Sequence, residues 1–157
     1  MTARAHVYAL LPAWICVSLV ASAQTTTPCN QLTGLLASAR SQFQDLRGPV
    51  DPDDSTIFQA SRRLPGAIEC LINRDDGLDS YDCFWEYPDS ASMSAAYGST
   101  LATVRACFSG VWERSTSDAT SLHVGDGPNY SLYVRVRKHQ SKSGRYRVSL
   151  SVERSAD

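Results

Sequence analysis

Cys29, Cys70, Cys83 and Cys107 constrain this chain more than any other feature, but what they can do depends on the residues that precede them. Met1 to His6 carry one firm positive charge, Arg4, and no acid. A mostly apolar, uncharged run from Val7 to Ala23 follows, closing on the small residues Ala21-Ser22-Ala23 before the polar Gln24. A charged start, an apolar middle and an A-x-A end predict a signal peptide, residues 1–23, cleaved after Ala23. The competing reading, an uncleaved anchor, is disfavoured by Pro12, which sits inside a run at or slightly below membrane-spanning length. The fifth cysteine, Cys16, leaves with that segment, where it serves as a small apolar filler. An even set of four then remains in an exported chain, secreted or periplasmic, and such a set reads as two disulfides. A zinc site is the alternative. Gaps of 41, 13 and 24 residues contain no C-x-x-C pair and no nearby histidine, so no metal is expected.

Residues 24–157 suit a single domain with one core. Thr27 and Pro28 open a helix, and Leu32, Leu35, Leu36, Ala39, Phe43 and Leu46 continue its apolar stripe up to a stop at Gly48-Pro49. Strand-like runs follow at Thr56–Ser61, Ala67–Asn73 and Tyr81–Tyr87. Folding the last two into a hairpin pairs Ile72 with Tyr81, Cys70 with Cys83, and Ile68 with Trp85, all on one apolar face. That coincidence predicts a Cys70–Cys83 bridge. Pro88-Asp89-Ser90 opens a second helix with a Met93, Tyr97, Leu101, Val104, Phe108 stripe, ended by Gly110. Elimination and the position of Cys29 and Cys107 on the helices predict the second bridge, Cys29–Cys107. Short strand candidates at Val111–Arg114 and Ser121–Val124 precede two strictly alternating runs, Tyr130–Lys138 and Arg145–Val152. The expected fold is α+β: an antiparallel sheet of about five to six strands with both helices on one face. The two halves hint at a repeated unit of one helix and three strands, but with no matching residue pattern this reads as coincidence.

The formal net charge of −1 implies neither nucleic acid nor an anionic membrane as a partner. Its distribution is uneven. Asp45–Asp89 holds eleven acids and four bases, and Gly127–Asp157 holds seven bases and two acids. In the last hairpin Tyr133, Arg135, Arg137, Arg145 and Arg147 point away from the core. If Val134 lies opposite Val148, Arg135 faces Arg147 and Arg137 faces Arg145, an arrangement that is mildly destabilising unless solvent, acids or an anionic ligand offset it. Guanidinium forks bind carboxylate and phosphate in pairs, so this is a candidate anion surface. A solvated outer sheet face fits the same pattern.

Asp75, Asp76, Asp79 and Asp82 form an acidic loop that lacks the spacing and terminal glutamate of an EF-hand. It reads as a solvated turn, or as a plug for a basic site on a partner. His123 and His139 lie on separate segments. With Ser121, Asp126 or Lys138 they allow an acid–base or nucleophilic sketch, but no catalytic motif holds them together. Asn129-Tyr130-Ser131 is a glycosylation sequon that has meaning only in a eukaryotic producer. The expectation is an exported binding domain without a cofactor or catalytic site, recognising an anionic envelope component. An inhibitor or immunity-type protein acting on a secreted enzyme is the alternative, and a hydrolase using His123 or His139 is a distant third.

Overall fold

The computed structural model describes residues 27–76 and 78–156. The expected signal peptide and Cys16 lie outside the described residues.

Helix α1 spans Pro28–Arg40. Thr27 caps it by accepting the Asn30 N–H at 3.4 Å, and Pro28 sits in the first turn, where its missing N–H costs no bond. The apolar stripe in the sequence runs on to Leu46, but the helix stops at Arg40 because Gln42 and Phe43 turn left-handed, with φ of 56° and 54°. That conformation costs about 1–2 kcal/mol per residue. Complete burial of Phe43 offsets it by about 1.5–3 kcal/mol and brings its ring to 6.2 Å from that of Tyr81. A 3-10 turn, Gln44–Leu46, then buries Leu46 and leads into strand β1, Arg47–Val50. Gly48 and Pro49 are therefore strand residues and not a helix stop. A Cβ on Gly48 would lie 2.8 Å from the Gln59 carbonyl oxygen, and Pro49 is tolerated because β1 is an edge.

Strands β2 (Ile57–Ala60), β3 (Glu69–Asp75) and β4 (Leu78–Tyr87) complete the first half. Helix α2, Ser90–Cys107, starts at Asp89, whose carboxylate accepts the Ser92 N–H at 2.7 Å. Strands β5 (Trp112–Ser115), β6 (Ala119–Gly127), β7 (Tyr130–Gln140) and β8 (Tyr146–Ala156) form the second half. All pair antiparallel in the order β1-β2-β3-β4-β8-β7-β6-β5. The fold is thus α+β with eight strands, more than the five to six expected. The strand with no counterpart in the sequence reading is β1, and the short β2 and β5, weak candidates from alternation, are both formed; these four-residue strands owe their strand character to a partner. The repeat set aside as coincidence in the sequence is present in the topology, with four strands per unit rather than three: each half is a helix followed by four strands, and the halves meet where β4 pairs with β8.

Both helices pack on one sheet face. Leu32, Leu35, Ala39, Met93, Leu101 and Val104 close over Cys70, Ile72, Tyr81, Cys83, Val134, Val136, Val148, Leu150 and Val152. Cys70 lies opposite Cys83 and Ile72 opposite Tyr81. The third expected pair, Ile68 with Trp85, does not form, because β3 begins at Glu69 and Ile68 is 46% exposed. One disulfide joins Cys70 to Cys83 across β3 and β4, with Cα atoms 4.1 Å apart. The other joins Cys29 in the first turn of α1 to Cys107 in the last turn of α2.

The last hairpin differs from expectation in register. Val134 lies opposite Val152, not Val148, so Arg135 faces Ser151, Arg137 faces Ser149, and Arg147 faces His139. Both strands are longer than their alternation implied, and the reversal is made within 141–145 with Gly144 at φ 82°. A four-residue slip leaves every side chain on its original face. Alternation alone is blind to it.

The Cys29–Cys107 bridge closes a 78-residue separation, for which the chain-entropy model gives about 4.5 kcal/mol. Cys29→Ala with Cys107→Ala should lower the unfolding free energy by up to that amount without changing the fold, as measured by urea unfolding and far-ultraviolet circular dichroism.

Candidate functional site: the open sheet face

Among the described residues no element covers the face opposite the helices. Strand alternation places its side chains in rows that follow from the register. One row is Trp112, His123, Tyr133, Glu153, Ser80; the next is Arg114, Ser121, Arg135, Ser151, Asp82. A third holds Ala119, Arg137, Ser149, Phe84, and a fourth His139, Arg147, Glu86. Ala119, Ser121, Ser149 and Ser151 are small, and long side chains stand on the strands around them, so the face is hollowed rather than flat. One hollow of about 320 Å3 is lined by Leu78, Trp112, Arg114, Tyr133, Arg135 and Glu153. A larger one of about 720 Å3 starts at Arg114, Ser121 and Arg135 and runs round the β5–β6 turn to Met93 and Lys138.

The five residues singled out from the sequence do not act as one cluster. Arg145 and Arg147 converge on Glu86 of β4: Arg145 Nη1 lies 3.1 Å from Oε2 and Arg147 Nε 2.9 Å from Oε1. The Arg147 hydrogen bond, helped by Arg145, holds the Glu86 carboxyl below its usual range. Arg135 sits apart from them. Its Nη1 lies 3.1 Å from Glu153 Oε1, and its Nε donates to Ser121 Oγ at 2.9 Å. Arg137 is exposed beside it, and among the described residues no carboxylate pairs with it. The Tyr133 ring lies tilted against that of His123, with centroids 5.2 Å apart. The expected oppositions of Arg135 with Arg147 and Arg137 with Arg145 are therefore absent, and serines take the facing positions of Arg135 and Arg137. Two further residues complete the face and were missed from sequence, Arg114 and Trp112 on β5. Their spacing of two was visible, but a four-residue edge strand carries too little alternation to say which face it shows.

The acids of the face are partly internal. Asp82 accepts from Asn73 Nδ2 at 2.6 Å, from Ser80 Oγ at 2.5 Å and from Ser151 Oγ. Glu153 is 7% exposed. Burial pushes its carboxyl above the usual range, Arg135 opposes that rise, and Asp82 adds to it. The acidic loop of the sequence is dispersed: Asp79 and Asp82 are an odd number of residues apart, so they project from opposite faces of β4. Asp79 is buried on the helix side against Arg154 at 3.1 Å and Arg74 at 3.6 Å.

His123 Nε2 lies 2.7 Å from Asp126 Oδ1, and Ser131 Oγ donates to the same oxygen at 2.9 Å. The carboxylate thus stands between imidazole and hydroxyl, whereas an activated serine needs its hydroxyl on the imidazole. Ser121 Oγ is engaged by Arg135. His139 lies among Arg137 and Arg147, with burial first and then those two charges lowering its pKa; its Nδ1 is buried with no hydrogen-bond partner among the described residues. Among the described residues no group of three or more His, Cys, Asp or Glu could hold a metal ion.

An acid whose pKa is higher folded than unfolded costs stability when ionised. For Glu153 the cost is present at neutral pH and is relieved as pH falls through the raised value toward about 4.3. Wild type should therefore gain stability relative to Glu153→Gln between pH 7 and about 4.5. Paired thermal melts read this directly, and a constant gap between the two melting temperatures would refute the assignment.

No family model matches the chain, and neither a curated protein nor a solved structure matches it.

Proposed function

We propose that the protein is a binding domain that takes an anionic ligand on its open sheet face, through Arg114, Arg135 and Arg137. The supporting observation is the charge balance within the face. Arg145 and Arg147 share Glu86, and Arg135 has Glu153, but among the described residues no carboxylate pairs with Arg114 or Arg137, which border the larger hollow. Arg114, Arg135, Arg137 and Lys138 outnumber the one carboxylate that lines this hollow, Asp118; the excess positive charge favours an anion, to which guanidinium groups offer paired, directional hydrogen bonds. The site is thus narrower than the sequence implied, with Arg145 and Arg147 in a structural role and Arg114 added. Disulfides persist in oxidising compartments, which points to a ligand outside the cytoplasm, such as an envelope component. Among the described residues no helix is long and apolar enough to cross a membrane. The alternative of an enzyme-plugging acidic loop loses Asp79 and Asp82 to internal partners.

The test is calorimetric titration of the disulfide-bonded protein with pyrophosphate, tetragalacturonate and a heparin-derived tetrasaccharide. Arg114→Ser with Arg137→Ser should weaken whichever anion binds by at least about tenfold, since each charged hydrogen bond is worth about 1.5–3 kcal/mol. The melting temperature should not fall, because neither side chain holds another element. Unchanged affinity in the double variant, or no binding by any anion, would overturn the reading.

A further inference from the structure

The smaller hollow says more about the ligand than its charge. Trp112 is 60% exposed, more than any other large hydrophobic residue in the described chain. It projects from β5 onto the open face, in one row with His123 and Tyr133 and two residues before Arg114 on the same strand face. Residues two apart on a strand are separated by roughly 7 Å. An indole and a guanidinium at that spacing suit a flat apolar ring carrying an acidic group at one end. Glu153 and Ser155 of β8 line the same hollow, three strands away from β5, offering a carboxylate and a hydroxyl.

This lining is unsuited to a bare inorganic anion. Pyrophosphate would leave Trp112 and Tyr133 unused and would meet repulsion from Glu153, to which it brings few or no hydrogen-bond donors at neutral pH. A ligand with several hydroxyl donors turns that same carboxylate into an acceptor. Pyranose rings also present a face of polarised C–H groups, which packs on the electron-rich face of an aromatic ring. The volume, about 320 Å3, lies at the low end for small-molecule sites, roughly 300–1,000 Å3.

Resting on the reading of the open face as an anion site, we propose that its ligand is an acidic saccharide. The sugar ring packs on Trp112, its carboxylate or sulfate is held by Arg114 and Arg135, and its hydroxyls donate to Glu153.

The experiment compares wild type with Trp112→Ala in titrations against tetragalacturonate, a heparin-derived tetrasaccharide, neutral maltotetraose and pyrophosphate. Wild type should bind at least one acidic tetrasaccharide about tenfold more tightly than either maltotetraose or pyrophosphate. Trp112→Ala should weaken that binding by about threefold to tenfold, the range expected for loss of an aromatic contact, and leave any pyrophosphate binding unchanged. Trp112→Phe should restore most of the loss. Because the side chain is exposed, both variants should melt at the wild-type temperature. Whether the carboxylated or the sulfated sugar binds better identifies the acid group. If pyrophosphate binds as tightly as the sugars and Trp112→Ala changes nothing, the saccharide assignment fails while the anion site stands. If no anion binds, both fail.

Discussion

The core and the open face are both positioned from a single ladder, the pairing of β4 with β8 from Leu78–Ser155 to Tyr87–Tyr146. Each half of the chain is a helix and a four-stranded meander, and alone each would expose a long, well-formed edge to solvent and to other chains. Joining the two edges removes both at once and leaves only the short strands β1 and β5 outside. The same ladder sets Tyr81, Cys83, Val148, Leu150 and Val152 toward the helices. On the reverse side it sets Asp82, Glu86, Arg147, Ser151 and Glu153 side by side. Tyr81 is fully buried at the centre of this arrangement; its hydroxyl donates to the Arg62 carbonyl at 2.8 Å, and burial pushes its pKa up to about 12.

Charge on the open face is ordered by this geometry. Acids come mainly from β4 and β8, and arginines from β5, β7 and the start of β8. Where the two sets touch, at Glu86 and at Glu153, they neutralise each other. Farther from β4, toward β5, the arginines outrun the acids, and the side chains between them are small. Excess positive charge, a hollow floor and an exposed indole therefore coincide at one end of the sheet. Among the described residues the candidate site is built mainly by strand side chains that alternate onto the uncovered face, joined at the β5–β6 turn by Thr116 and Asp118.

Much of the fold was legible in the chain because its signals are local. Thr27 and Asp89 mark helix starts by the hydrogen bonds their side chains can accept. Cys70 and Cys83 coincide with the apolar alternation of a hairpin, so two independent patterns agree on one register. The end of α1 was not legible, because Phe43 and Leu46 continue the helical stripe as well as they fill the core by another path. The site was half legible. Arg135 and Arg137 declare themselves by alternation in long strands. Arg114 and Trp112 do not, because β5 is too short to show which face it presents.

Sequence alone determined the helix caps, the apolar face of each long strand and the α+β class, since each depends on residues close together or on a repeating period. Tertiary structure alone decided the β7–β8 register, the departure of the chain from α1 after Arg40, and the company each arginine keeps. The reason is that a slip of four residues or a change of partner strand preserves every local pattern while altering which side chains meet. The two disulfides illustrate both halves of this: the pairing of Cys70 with Cys83 followed from hairpin alternation, but the closeness of Cys29 to Cys107 depends on how two helices lie across one sheet.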